Sequence, residues 1–231
     1  MAYYTEHYLL ESGILPSMSE RNYSVLDGFI NTIDEHLGTF IKQPQQTLRA
    51  YPAENIEHLM LSETERRQSE GLMRVNHAGE VSAQALYKAQ ALTARDSQVR
   101  EAMGRSAEEE IDHLVWCEER LRELGGHTSF LGPFWFFGSF SIGSLAGLIG
   151  DKWNLGFVVE TENQVVKHLD EHLKEISASD LRSRAVLEQM RKDEAHHASV
   201  ALHAGARELP TPVKKMMGLL SKVMTKTAYW I

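Results

Sequence analysis

Apolar residues recur at every third or fourth position along most of this chain, and almost nowhere at every second. Val25, Leu26, Phe29, Ile30, Ile33, Leu37 and Phe40 form the first such run, which Pro44 ends. Residues 42–61 are polar, contain Pro44 and Pro52, and read as a linker. The next run extends from Ser62 to Arg95, with Ser62 and Glu65 at capping-box spacing. Ser97 to Leu124 follows and stops at Gly125-Gly126. Asp151 to Ile176 and Asp180 to Arg207 are two further runs, and a short amphipathic stretch follows Pro210. This pattern predicts an all-α protein in which four long helices form an antiparallel bundle, with additional N- and C-terminal helices. Residues 1–23 lack a period and are expected to be an extension, with 24–231 a single domain.

One segment breaks the alternation of faces. Residues 128–150, TSFLGPFWFFGSFSIGSLAGLIG, carry no charge in 23 positions. The length suits a bilayer span, but five glycines, Pro133 and several serines argue against one continuous spanning helix. The segment is expected to be a crossover buried on the bundle, an apolar surface that dips into a membrane interface, or both. Phe134, Trp135, Phe136, Phe137 and Phe140 are its candidate lipid contacts. In the tail, Val213, Met216, Met217, Leu220 and Met224 fall on one helical face, with Lys214, Lys215 and Lys222 opposite. That is the pattern of a basic interfacial helix, or of a helix packed on its own bundle.

Composition narrows the function classes. A net charge of −8 over 231 residues argues against a nucleic-acid partner, which needs a basic surface. Cys117 is the only cysteine, so no disulfide closes within the chain and no zinc site is built on thiolates, which fits a reducing compartment. MAYYTEHYLLESG lacks the basic and apolar regions of a signal peptide, so the chain is expected to stay on the cytoplasmic side.

The candidate chemistry lies in two acid-rich hexapeptides, EEEIDH at 108–113 and KDEAHH at 192–197. At 100° per residue, Glu110 and His113 share a face with Met103, Ala107, Leu114, Cys117 and Leu121. Glu109 falls on the flank, and Glu108 and Asp112 point away and are expected to be solvated. The second hexapeptide sorts alike. Glu194 and His197 share a face with Leu187, Met190, Ala198 and Ala201, Asp193 flanks them and His196 points away. Glu162 stands alone on a stripe of Leu155, Val158, Val159, Val165, Val166 and Leu169, and Glu80 faces inward with Met73, Asn76, Ala83, Gln84 and Tyr87. Heights also agree. Glu80 precedes Arg95 by 15 residues and Glu110 follows Ser97 by 13; Glu162 precedes Ser177 by 15 and Glu194 follows Ser179 by 15. Each helical hairpin thus sets one Glu level with one Glu-x-x-His.

A lone Glu-x-x-His arises often by chance, and a lone inward Glu is usually a paired core charge. Four buried carboxylates are different: each costs several kcal/mol to desolvate unless a cation faces it, and no Lys or Arg shares three of the four faces, Arg191 lying at the edge of the fourth. Two divalent cations would neutralise them, as in di-iron or di-manganese carboxylate bundles. Carboxylates with one imidazole per metal suit Fe or Mn better than Cu or structural Zn. In equivalent sites Glu110 and Glu194 bridge the two metals at the reacting centre, and Glu80 and Glu162 are terminal ligands. Asn76, Gln84 and Tyr87 are candidates for the layer behind them.

Four stretches also resemble the demethoxyubiquinone hydroxylases of ubiquinone biosynthesis: MRVNHAGEVSAQALYKAQ around Glu80, EEEIDHLVWCEERLRELGG around Glu110, GDKWNLGFVVETENQVVKHL around Glu162 and QMRKDEAHHASVALHAGA around Glu194. The resemblance runs from about residue 24 to the end, VMTKTAYWI included. It implies a ferritin-like fold holding two Fe ions on Glu80, Glu110, His113, Glu162, Glu194 and His197. It implies O₂ as co-substrate and hydroxylation of the ring of a polyprenylated methoxy-methyl-benzoquinol. It places the chain peripherally on the cytoplasmic face of the bacterial inner membrane, among other ubiquinone-biosynthesis proteins and with room for a homo-oligomer. Some relatives carry an aromatic residue after the histidine matching His168; here Leu169 stands there, so the electron-transfer role proposed for it does not carry over. A polyprenyl tail leaves the bilayer only at about 0.8 kcal/mol per buried methylene, so such an enzyme must come to the membrane. The rival expectations are a soluble ferritin-like ferroxidase or peroxidase, which needs no uncharged segment, and a lipid-binding scaffold without catalysis.

Overall fold

The computed structural model describes residues 49–231. The expected extension at 1–23, the run from Ser24 to Phe40 and residues 42–48 of the expected linker lie outside the described residues. The described residues form six helices and no strand: α1 Glu63–Thr93, α2 Ser97–Leu124, α3 Gly132–Ile149, α4 Asp151–Glu175, α5 Leu181–His203 and α6 Thr211–Ala228.

The ends of the long helices are set by local chemistry. The Ser62 hydroxyl accepts from Glu65 N–H while the Glu65 carboxylate accepts from Ser62 N–H at 2.8 Å, closing the expected capping box. The Asp96 carboxylate accepts from the N–H groups of Gln98 and Val99 and starts α2. Gly125 stops α2 with φ 72°, a left-handed turn that a side chain resists, and Gly126 N–H then donates back to Leu121 O at 2.9 Å. Asp180 starts α5 by accepting from Ser183 N–H at 3.0 Å.

α1 packs along α2 and α4 along α5, and contacts between α2 and α5 and between α1 and α4 close these two hairpins into a bundle. Two apolar layers fill it. One contains Leu72, Met73, Trp116, Leu121, Leu169, Leu187 and Met190. The other contains Tyr87, Val99, Met103, Leu155, Val158 and Ala201. At about 1.5–3 kcal/mol for each large side chain fully buried, these layers hold the four helices in register. The acidic positions 80, 110, 162 and 194 fall between them along every helix.

The charge-free segment differs from expectation in two ways. It forms a continuous 18-residue helix, α3, because its glycines serve close packing and do not interrupt it. A Cβ on Gly143 would stand 2.7 Å from the Leu86 carbonyl oxygen, so only glycine lets α3 lie this close to α1. The five aromatic residues expected to contact lipid also divide. Phe136 and Phe140 are buried against Val81, Ala85, Ala89 and Leu114. Phe134 and Phe137 are exposed with Leu145, Leu148 and Ile149. By length and composition α3 is long and apolar enough to cross a membrane, yet a third of it is covered by protein.

The phase of α6 also needs correction. Val213, Met217 and Met224 are half-buried, but Met216 and Leu220 point outward with Leu219 and Val223. Contacts from the bundle set this rotation: the Ser82 hydroxyl donates to Met224 Sδ at 3.3 Å, and Lys214 turns inward to lie 3.5 Å from Glu160. The exposed face of α6 is therefore apolar with Lys215, Lys222 and Lys226 at its margins.

Candidate metal centre

All six residues singled out by phase and height meet in one place. Glu80, Glu110, His113, Glu162, Glu194 and His197 are each 5% exposed or less, and they come from α1, α2, α4 and α5. Two groups of donor atoms can each hold a metal ion: Glu80, Glu110, His113 and Glu194 in one, Glu162, Glu194 and His197 in the other.

The atoms show how the two groups share residues. His113 Nδ1 lies 3.0 Å from Glu194 Oε1, 3.1 Å from Glu110 Oε2 and 3.4 Å from Glu80 Oε2. His197 Nδ1 lies 3.1 Å from Glu194 Oε2 and 3.6 Å from Glu110 Oε1. Glu110 and Glu194 each turn one oxygen to each histidine. Glu80 belongs to the His113 side and Glu162 to the His197 side.

The cluster leaves carboxylate oxygens unpartnered. Glu80 Oε2, Glu110 Oε1, Glu162 Oε2 and Glu194 Oε1 are buried and have no hydrogen-bond partner. An orphaned carboxylate oxygen costs more than a neutral orphan, and here four converge. Burial, then the charges of Glu194 and Glu80, push the Glu110 carboxyl well above its ordinary range. Burial, then Glu194 and Glu110, does the same to Glu162. Burial opposes the ionisation of Glu194 as well, but His113 and His197 hold it down. Such mutual repulsion, with hard oxygen donors and one imidazole nitrogen per side, fits a pair of divalent cations.

Both imidazoles are held from behind, and the sequence reading did not find how. His113 Nε2 meets Asp193 Oδ2 at 3.1 Å, and His197 Nε2 meets Glu109 Oε2 at 2.6 Å. Each acid immediately precedes the Glu of the opposite Glu-x-x-His and reaches across to the histidine of the other helix. The signal was in the sequence, since both hexapeptides place an acid one position before the ligand-type Glu. Their helical phase read only as flanking because the partner lies on a different helix. Tyr87, from the expected outer layer, donates its hydroxyl to Glu162 Oε1, and burial, then Glu162, pushes its phenol well above the usual range. Asn76 instead pairs with His172 at 3.1 Å, and Gln84 Nε2 has no partner.

Asp112 contradicts its expected solvation, being 3% exposed. Helical phase correctly turned it away from the bundle interior. The segment before α1 then covers that outer face: Arg49 lies 4.0 Å from Asp112, stacks on Trp116 at 4.8 Å, and bonds Asp193 at 2.8 Å. Glu108 is exposed as expected, and so is His196.

Comparisons with known proteins agree with this geometry. Residues 67–228 match the family model described as ubiquinone biosynthesis protein COQ7. The chain is 61% identical to the 3-demethoxyubiquinol 3-hydroxylase of Nitrosococcus oceani, across 93% of this chain and all of that protein. It is 54% identical to the protein of the same name from Stutzerimonas stutzeri, across 92% of this chain and 99% of that one. With that of Chromobacterium violaceum it shares 52% identity, across 89% and 99% respectively.

Proposed function

Because the chain belongs to the ubiquinone biosynthesis protein COQ7 family, we propose that it hydroxylates the ring of a demethoxyubiquinol, using O₂ and two iron ions held between its four long helices. The observation that carries this reading is the convergence of four orphaned carboxylate oxygens and two imidazole Nδ1 atoms from four helices. Glu110 and Glu194 would be shared between the two positions, Glu80 and His113 would complete one, and Glu162 and His197 the other. Iron held there would supply the reductive chemistry of O₂, by which one oxygen atom goes to the ring and the other to water with two electrons and two protons from a reductant.

The chain's own groups hold and orient. Nε2–H of His113 donates to Asp193 and Nε2–H of His197 to Glu109, which leaves both Nδ1 lone pairs aimed at the centre. Tyr87 donates to one Glu162 oxygen and leaves the other free for a metal. A closed seam between α1 and α4, lined by Ala83, Leu86, Tyr87, Val158 and Thr161, reaches Glu162 but leaves no room even for a water molecule, so the ring would enter there only if these side chains part. Its apolar walls keep bulk water from the reacting atoms.

The substrate carries an apolar tail, so the exposed faces of α3 and α6 are assigned to the membrane. Phe134, Phe137, Leu145 and Leu148 on α3, with Met216, Leu219, Leu220 and Val223 on α6, enter the interface, and Lys215, Lys222 and Lys226 meet anionic headgroups. Phe136 and Phe140 tie α3 to α1, which supports a helix lying along the surface over one that crosses. On this reading the protein is peripheral on the cytoplasmic face of the inner membrane and works beside other ubiquinone-biosynthesis proteins.

The test is to reconstitute the full chain with Fe²⁺, supply a reduced demethoxyubiquinone analogue, a reductant and O₂, and analyse the quinone by mass. A gain of one oxygen atom, taken from labelled O₂, is expected. Two irons bound with no oxygenated product would overturn the activity and leave the metal site standing.

A further inference from the structure

The two histidines of the centre are backed by unequal devices. On one side Asp193 receives His113, accepts from Arg49 Nη1 at 2.8 Å and accepts from Gln189 Nε2 at 2.9 Å. Arg49 lies over the Trp116 ring, and His113 packs on the same ring at 5.4 Å between centroids. The Asp193 side chain is 18% exposed, and the Trp116 beneath it is fully buried. On the other side Glu109 receives His197, but its side chain is 50% exposed. No Lys or Arg is paired with Glu109 among the described residues, and the nearest ring to His197 is Tyr87, edge-on at 6.2 Å.

A carboxylate behind a metal-bound histidine fixes the ring and raises the basicity of the coordinating nitrogen; losing it typically costs about 10- to 100-fold in metal affinity. That support is only as firm as the carboxylate. Asp193 is fixed by three partners and has little room to move. Glu109 stands half in water, where solvent competes for its oxygens and salt screens its charge. From behind, His197 is thus held by one wet hydrogen bond, whereas freeing His113 also disturbs the partly exposed Arg49–Asp193 ion pair.

We propose that Arg49 acts as a positioning residue that locks the His113-side metal through Asp193, and that the His197 side, backed by water-exposed Glu109, is the exchangeable position. The proposal rests on the two-metal reading of the centre. It makes the segment before α1 a working part of a site from which it is distant in sequence. It also means that metal enters and leaves by one side, with the other retained.

The full chain loaded with Co²⁺ tests this by challenge with excess chelator, following metal per chain and the Co²⁺ absorption bands over time. Two ions should leave in two phases of one ion each, separated at least tenfold in rate. Arg49→Ala should speed the slow phase about 10- to 100-fold and leave the fast phase unchanged, while Glu109→Gln speeds the fast phase alone. Arg49→Lys, which keeps the charge, should restore much of the slow phase. A merely structural role for Arg49 would shift both phases together, and helical content measured on every variant identifies any that fails to fold. Two ions leaving in a single phase, or Arg49→Ala acting on the fast phase, would overturn the proposal. Fewer than two ions bound at the outset would instead overturn the two-metal reading on which it rests.

Discussion

Two clusters of buried charge lie on α2, about 15 Å apart along the helix, and they are built on opposite principles. In the first, around Glu110, the chain supplies four carboxylates and two imidazoles and leaves four oxygens without partners. In the second, Arg120 bonds Glu123 at 2.7 Å, Asp180 at 2.8 Å and the Ser183 hydroxyl at 2.7 Å, and Arg182 pairs with Glu123 as well. The second cluster is nearly satisfied by the chain itself, with one Asp180 oxygen left over. Its work is structural: it ties α2 to the start of α5, where Asp180 is also the helix cap. Burial alone therefore does not mark a functional site. The mark is burial without compensation, which calls for something the chain does not contain.

The contrast should break most sharply with Glu162→Gln. This change should abolish binding on the His197 side and with it hydroxylation, read as metal per chain and product formed. In the metal-free protein the same change should raise stability by about 1–3 kcal/mol, because an amide is neutral without the cost of protonating a carboxyl and it gives Glu194 a donor. Arg120→Ala is the mirror case. It should lower stability by about 3–5 kcal/mol, since it strands Glu123 and Asp180, while the folded fraction still binds two metals. Chemical denaturation read by circular dichroism measures both.

The two clusters also respond to pH with opposite sign. In the metal-free centre His197 is raised from 6.5 to about 9: burial opposes the shift, but Glu194, Glu110 and Glu109 outweigh it. Its contribution to stability is full below pH 6.5 and is lost as pH rises through 9. Glu123 lies below its ordinary 4.5, where burial opposes the shift and its bonds to Arg182 and Arg120 prevail. Its contribution is present above pH 4.5 and lost as pH falls. The metal-stripped protein should thus lose several degrees of melting temperature between pH 6.5 and 9, and the loaded protein should not.

Asp112→Asn should have the smallest effect. It should keep both metals and most turnover and cost about 1 kcal/mol, because Asp112 is buried outside the centre beside Arg49.

Much of the centre was legible because helical phase is a local property. Glu80, Glu110, Glu162 and Glu194 each announce their face by the apolar residues three and four positions away, and their heights follow from counting to a turn. Ser62, Asp96, Gly125 and Asp180 bound the helices for equally local reasons. What escaped depends on partners brought from elsewhere. Asp112 looked solvated because nothing near it shows that Arg49 covers it. The exchange of Asp193 and Glu109 between histidines requires knowing which helices face each other. α3 looked interrupted because its glycines were read as helix breakers, whereas Gly143 serves the approach to α1. The α6 wheel grouped the apolar residues correctly by angle, but rotation about the axis was fixed by Ser82 and Glu160 on other helices.

The central claim is that the uncompensated cluster is completed by two cations. Its most direct test is an anaerobic titration of the metal-stripped full chain with Fe²⁺, following bound iron and melting temperature together. The account predicts an end point at two Fe²⁺ per chain, with the melting temperature rising until that point and levelling there. An end point at one or none, or a melting temperature that does not respond to bound iron, would contradict it.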